Sequence, residues 1–194
     1  MKTLLEYATG GCPVKTGRNW TKEEIYAAVM RGPHKSPLAD EAIACFAAES
    51  KGKVASNWAR LVLYEEIKGN ITKQTKLSKI AAIPHKSKAF RSILDLSFLL
   101  KLTPHGHVPS YNEKSEKTTP GGAVDQVGHV ILRFIHAFSE APECAKQFQE
   151  KWDIKDDFWG IACKEGEEWN FCYVLPQKQG IPITLVVPTS LQMG

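Results

Sequence analysis

Acidic side chains alternate with large apolar ones in residues 152–159, which read Trp-Asp-Ile-Lys-Asp-Asp-Phe-Trp. The carboxylates of Asp153, Asp156 and Asp157 fall at the mouth of a stretch with the pattern of a strand. Hard divalent cations prefer oxygen ligands in fixed positions, so this segment could hold a metal ion. The same pattern fits a strand end whose acidic side chains are only solvated. The residues by themselves leave both interpretations open.

A second chemical feature is a basic stretch that contains no acidic residue. It runs from Ile67 to Leu94, and its cations are Lys68, Lys73, Lys76, Lys79, Lys86, Lys88 and Arg91. A surface of one sign of charge binds phosphates, because each neutralised phosphate releases condensed counterions. A solvated lysine-rich loop would have the same composition. We therefore keep two interpretations, a nucleic-acid-binding stripe and a loop without a partner.

The elements that must position these residues begin with a helical N-terminal segment, residues 1–68. Thr21 and Glu24 have the spacing of a capping box for a helix that runs to Met30. Apolar spacing predicts further helical segments at 37–49 and 54–63.

The rest of the chain, residues 69–194, is predicted to mix strands with one long helix. Two apolar runs, 80–83 and 92–96, predict a hairpin with a turn at 84–88. Apolar residues from Val124 to Phe138 keep helical spacing, which predicts a helix packed into a core. The acidic segment is predicted to form a hairpin, through a turn at 165–168, with a strand at 169–175. A last strand is expected at 183–187, and the fold class is α/β, of the α+β kind.

Composition indicates a globular protein of the cell interior. Of the 194 residues 43% are hydrophobic and 24% charged, and no apolar run approaches the length of a membrane span. The five cysteines are scattered and never form a Cys-x-x-Cys pair, which argues against a disulfide framework and a zinc ribbon. We expect an intracellular protein, of the cytoplasm or nucleus, that does not engage a membrane.

Three segments, in this order, resemble the fingers and early palm of a retrotransposon reverse transcriptase. Residues 85–98 (His-Lys-Ser-Lys-Ala-Phe-Arg-Ser-Ile-Leu-Asp-Leu-Ser-Phe) resemble the fingers hairpin, and residues 152–159 resemble the first palm motif. Residues 185–194 resemble the following strand and its Gln/Gly loop, although Gln192-Met193-Gly194 stands where the family usually has Pro-Gln-Gly. The likeness covers roughly residues 80–194. It implies a right-hand polymerase fingers and palm fragment, preceded by a helical segment that carries none of the family's motifs.

The resemblance also implies roles for individual residues in RNA-directed DNA synthesis by two Mg²⁺ ions. Asp153 would be the catalytic carboxylate and a metal ligand, together with the backbone carbonyl of Ile154. Phe158 would be the steric gate that excludes a ribose 2′-hydroxyl. The remaining nucleotide-binding residues would be Lys86, Lys88, Arg91, Asp156, Asp157, Gln192 and Gly194. The implied partners are a template–primer of RNA or DNA and a deoxynucleoside triphosphate.

The family's second carboxylate motif, Tyr-x-Asp-Asp, does not occur in this sequence. The resemblance therefore implies a truncated piece, residues 69–194, that is inactive without the remainder of the polymerase polypeptide. The alternative function is a non-catalytic nucleic-acid-binding module that uses the Lys68–Arg91 stripe. In that case Lys68, Lys73, Lys76 and Lys79 would contact the phosphate backbone.

Overall fold

The computed structural model describes residues 2–14, 16–86, 89–103, 106–108, 110–114, 121–142 and 160–192. They form a mixed arrangement of helices and small antiparallel sheets, which belongs to the α+β class. The chain divides into two compact units: the first comprises Met1–Ser115 and Asp156–Gly194, and the second comprises Glu116–Lys155. The boundary predicted at residue 68 thus falls inside the first unit.

The helices are α1 (Lys2–Gly10), α2 (Lys22–Arg31), α3 (Asp40–Ala55), α4 (Tyr64–Ile67), α5 (Tyr111–Lys114) and α6 (Gly121–Glu140). Short 3-10 helices occupy Ser36–Leu38 and Glu167–Phe171. The predicted capping box of α2 is confirmed: the Glu24 backbone N–H donates to Thr21 Oγ1, and the Thr21 N–H donates to Glu24 Oε2. Two otherwise unpaired N–H groups at the start of α2 are satisfied in this way.

The strands are β1 (Ala59–Leu63), β2 (Lys79–Pro84), β3 (Phe90–Asp95), β4 (Leu100–Thr103), β5 (Gly106–Val108), β6 (Tyr173–Val174) and β7 (Thr184–Pro188). All pairings among them are antiparallel. One sheet has the order β1–β7–β6, and the pairs β2–β3 and β4–β5 form two small sheets. The hairpin predicted from the apolar runs is β2–β3, and the predicted last strand is β7. Both predictions are confirmed.

The helical prediction for residues 54–63 is wrong beyond Ala55, where α3 ends. Asn57 adopts a left-handed backbone conformation with φ 58°, which reverses the chain. Residues 59–63 then form β1 and pair with β7, so that Leu61 lies opposite Val186. This apolar run suits a strand as well as a helix, and pairing with a distant segment decides between them.

The hairpin predicted for the acidic segment is also wrong where the structure describes it. Residues 169–171 belong to a 3-10 helix, which follows a turn at Gly166 with φ 84°. The short strand β6 pairs with β7. Single backbone β-bridges join Ala162 to Ser190 and Cys163 to Cys12, and the thiols of these two cysteines are free. The described residues Ala162 and Cys163 thus pair with the residues after β7 and with the N-terminal segment.

Strand β7 separates two hydrophobic clusters of the first unit. Leu185 and Val187 pack with Ile25 and Val29 of α2, in the first cluster. Val186 packs in the second cluster, which also contains Phe46, Ile80, Leu94 and Tyr173. Successive side chains of a strand point to opposite faces, so β7 is covered on both. One short apolar strand thereby joins α2 to the β2–β3 hairpin.

Helix α6 forms where the apolar spacing predicts it. Its predicted packing into a core is wrong for the described side chains, because Phe134, Ile135 and Phe138 are exposed by 50%, 60% and 45%. Helical spacing specifies an apolar stripe, whereas burial also requires a surface that covers it. None of the described helices combines the length and the apolarity needed to cross a lipid bilayer.

Candidate functional site

The β2–β3 hairpin presents two chemically different faces. Directly opposed residues of an antiparallel pair share a face, and the faces alternate along each strand. The pairs Ile80–Leu94 and Ala82–Ser92 lie on the inner face, which packs against the second cluster. The other face, here named the outer face, consists of Lys79, Ala81, Ile83, Arg91, Ile93 and Asp95. Arg91 and Lys79 therefore project from the same side of the hairpin.

The tip of the hairpin carries two of the predicted triphosphate ligands. Lys86 and Arg91 are both exposed to solvent. Phe90, which precedes Arg91, lies opposite Pro84 and packs against the second cluster. This contact restrains the backbone of Arg91, and its exposed guanidinium can bind an anion in a bidentate manner.

The base of the hairpin gathers cationic side chains around one aromatic ring. The guanidinium carbon of Arg31 lies 4.8 Å from the centroid of the Phe98 ring, and Lys79 Nζ lies 5.0 Å from it. The ring of His34 meets Phe98 edge-on at 5.8 Å, and His34 Nε2 lies 3.0 Å from Asp95 Oδ2. We name these five residues the base cluster. The aromatic ring attracts both cations through its quadrupole and holds them near each other.

Main-chain contacts place the base cluster beside β2. Helix α2 ends at Arg31, and Gly32 caps it with φ 65°. The N–H of His34 then donates to the carbonyl of Ile80 over 3.1 Å. The Ala82 N–H donates to Ser36 Oγ, also over 3.1 Å. The segment after α2 is thus fastened along the edge of β2, which brings Arg31 and His34 to the hairpin.

The pKa of Lys79 is lowered, first by partial burial and then by the positive charge of Arg31, while Asp95 opposes the change. Arg31 acts in this direction because the two positive charges lie around the same Phe98 ring. Sequence reasoning named Lys79 but missed Arg31 and His34. Their contacts join segments far apart in the chain, and no local spacing signals them.

The other lysines of the predicted stripe do not share one surface. Lys73 is exposed, and Lys68 binds Glu65 over 2.5 Å, a contact that raises the lysine's pKa. Lys76 is only 5% exposed. A phosphate backbone meets Lys68 already paired with an acid and does not meet Lys76 at the surface.

The side chain of Lys76 lies in a buried polar group with Thr16 and Asn170. Lys76 Nζ donates to Thr16 Oγ1 and, over 3.1 Å, to Asn170 Oδ1. Thr16 Oγ1 donates to the same amide oxygen over 2.7 Å. Burial lowers the pKa of Lys76 to about 8, and the charge of Arg18 acts in the same direction. Lys76 is therefore a structural cation with two neutral hydrogen-bond acceptors.

Gln192 follows β7 in a loop tied to the core. Its Nε2 donates to the carbonyls of Ser190 and Leu191, over 3.0 and 2.9 Å. Leu191 packs against the second cluster, the same cluster that holds the hairpin. The structure thus brings the hairpin and the Gln192 loop onto one core.

The other predicted site residues lie outside the described part of the chain: Lys88, Asp153, Ile154, Asp156, Asp157, Phe158 and Gly194. Within the described part, no group of three or more His, Cys, Asp or Glu residues could hold a metal ion. The carboxylate and carbonyl oxygens of Asp153 and Ile154 are the donor type that Mg²⁺ takes.

Comparison with protein-family models and with curated proteins finds no match to this chain.

Proposed function

We propose that this chain supplies the fingers and the first part of the palm of a retroelement reverse transcriptase. The observation that carries the proposal is the shared core of two motif-bearing elements. Ile80 and Leu94 of the hairpin pack in the same cluster as Val186 and, at its margin, Leu191. A polymerase must bind a triphosphate between basic residues on one element and a backbone loop on another. Arg91 and the Gln192 loop are carried by two such elements.

The hairpin tip would bind the nucleotide's phosphates. Arg91 is exposed on a fixed backbone and Lys86 stands at the turn, so both can reach a ligand. A guanidinium matches two phosphate oxygens at once, which orients the triphosphate as well as attracting it. Lys88, Asp156, Asp157 and Gly194 would complete the contacts.

The acidic segment would supply the chemistry of nucleotidyl transfer. Asp153, with the carbonyl of Ile154, would hold Mg²⁺, which stabilises the charge that develops on the attacking and leaving oxygens. The ring of Phe158 would lie under the sugar and reject a 2′-hydroxyl. Because the sequence has no Tyr-x-Asp-Asp motif, nucleotide binding tests this proposal better than turnover does.

The test is calorimetric titration of the chain with dATP in the presence and absence of Mg²⁺. We expect Mg²⁺-dependent binding, weakened roughly tenfold or more by Arg91→Ala, since hydrogen bonds to charged groups contribute about 1.5–3 kcal/mol. Lys51→Ala, an exposed lysine of α3, is the matched control and should bind as the unmodified chain does. Equal affinity of the Arg91 and Lys51 variants would reject the proposed role.

A second candidate is a nucleic-acid-binding module without catalysis. The base cluster favours it, together with the net charge of +4. Such a module would bind an oligonucleotide in a salt-sensitive manner and would be indifferent to Mg²⁺ and to dATP. Magnesium-dependent dATP binding therefore separates the two functions.

A further inference from the structure

The base cluster carries an excess of positive charge that its internal contacts do not neutralise. Arg31 and Lys79 are both cations, and Asp95 is the carboxylate of the group. That carboxylate already receives His34 Nε2 at 3.0 Å and, at Oδ1, the backbone N–H of Ser97 at 3.1 Å. The carboxylate of Asp95 thus also accepts hydrogen bonds from His34 and Ser97 and is not reserved for the two cations.

The two cations also have ordered positions before any ligand arrives. Each lies within cation–π distance of Phe98, while a lysine or arginine on an open surface samples many rotamers. Fixing a side chain in advance reduces the entropy lost on binding. Arg31 is exposed and Lys79 half-buried, so an anion can reach both.

We propose that Arg31 and Lys79 form a phosphate-binding site at the base of the β2–β3 hairpin, separate from the nucleotide site at its tip. The ligand group is a phosphate, and its source is the phosphodiester backbone of a single nucleic-acid strand. That choice of source rests on the proposed function. The recognition of phosphate itself rests on the base cluster alone.

The outer face of the hairpin connects the proposed site at the base with Arg91 at the tip. Arg91 and Asp95 lie on this face four residues apart, roughly 13 Å along a strand at its usual rise. Ala81 and Ile93, which oppose each other, lie between them, and Ile83, which is exposed by 46%, lies opposite Arg91. One strand can therefore contact cations at both ends of the face and place its sugars or bases on the apolar middle.

The test measures binding of a fluorescently labelled single-stranded oligodeoxynucleotide by anisotropy at low salt, without Mg²⁺. Lys79→Gln and Arg31→Gln should each weaken binding severalfold and reduce the magnitude of the salt slope by about 0.7, the value for one phosphate of a single strand. Lys51→Gln is the control and should have no effect beyond the loss of one remote charge. Asp95→Asn should strengthen binding, because it removes the carboxylate that competes with the phosphate. Lys79→Arg should restore affinity, which separates lost charge from lost folding.

Competition identifies the source of the phosphate. If inorganic phosphate binds the unmodified chain as tightly as the oligonucleotide does, and Lys79→Gln loses both, a free phosphate ion is the ligand and the strand assignment fails. If Lys79→Gln and Arg31→Gln behave like Lys51→Gln, the site itself is rejected. Loss of dATP binding in Arg91→Ala with full oligonucleotide binding in Lys79→Gln would keep the proposed function and overturn only this inference.

Discussion

Lys76 Nζ lies 3.1 Å from Asn170 Oδ1 in the interior of the first unit. The ammonium has polar partners there, Thr16 and Asn170, and both are neutral. Desolvation of the charge outweighs these hydrogen bonds, which is why the pKa of Lys76 falls to about 8.

Lys76 should make stability rise with pH above about 8. The unfolded chain binds a proton at this lysine up to its ordinary pKa of 10.5, whereas the folded chain releases it near 8. Folding is therefore favoured as pH rises from 8 to 10.5, by at most about 3 kcal/mol, and is insensitive to this group below 8. Urea unfolding at pH 7 and at pH 10 measures the free energy of unfolding of the unmodified chain and of Lys76→Met. The value for the unmodified chain should rise relative to that of Lys76→Met between the two pH values.

The comparison between variants is needed because burial raises the pKa of Cys163 to about 12, which opposes the effect of Lys76 at alkaline pH. The thiols are present in both chains, so their contribution cancels in the difference. Lys73→Met, at an exposed neighbouring lysine, is the control and should show no such pH dependence. A constant difference between the unmodified chain and Lys76→Met across this range would contradict the assignment.

Gly11→Ala should destabilise the first unit strongly, whereas Gly10→Ala should not. Gly11 has φ 81°, and a methyl group there would lie 2.5 Å from the carbonyl oxygen of Cys163. Gly10 has open space around its Cα. We expect the free energy of unfolding to fall by more than roughly 2 kcal/mol in Gly11→Ala and to change by less than about 1 kcal/mol in Gly10→Ala. Thermal unfolding of the two variants provides the measurement, and equal melting temperatures would show the prediction wrong.

Affinity for nucleic acid should fall steeply with salt. Contacts from the hairpin tip and the base cluster would each release condensed counterions, so a plot of log affinity against log salt concentration should have a slope of roughly −0.7 for each phosphate contacted on a single strand. Filter binding at KCl concentrations from about 50 to about 300 mM, a range that includes physiological ionic strength, measures this slope. A flat response would reject electrostatic binding by these residues.

Phe158→Val should admit ribonucleotides, if the ring lies under the sugar of the bound nucleotide. We expect affinity for ATP to rise toward that for dATP, with dATP affinity itself little changed. Competition between the two nucleotides, on the unmodified chain and on Phe158→Val, tests this. Replacement of the neighbouring Trp159 by Phe is the control, and equal discrimination in all three chains would exclude Phe158 as the gate.

The parts of the fold that the sequence predicts are those set by neighbouring residues. Thr21 and Glu24, which are three positions apart, specify the start of α2 by their mutual contact. Two apolar runs around a turn specify the hairpin. In β1 the same kind of reasoning fails, because Leu61 is extended by its pairing with Val186. Local preference decides an element only where no distant partner competes.

The residues of the candidate site also fall into those that the local sequence identifies and those that only the tertiary structure brings together. The sequence singles out Arg91 through its neighbours, and in the structure Arg91 is exposed beside a packed Phe90. Lys76 belonged to the same basic stretch, yet it is buried. The contacts of Arg31 with Phe98 and of His34 with Asp95 depend on how α2 meets the hairpin. Charge along a chain does not reveal which side chains the tertiary structure turns inward.

The central place of β7 determines when the first unit can become stable. Residues 184–188 pair with 59–63 and complete both hydrophobic clusters, so α2 and the hairpin lack their common partner until that late strand has been synthesised. Loops of this length close slowly, and the folding rate should be governed by this single encounter. On the ribosome the earlier elements would wait with their apolar faces open to chaperones.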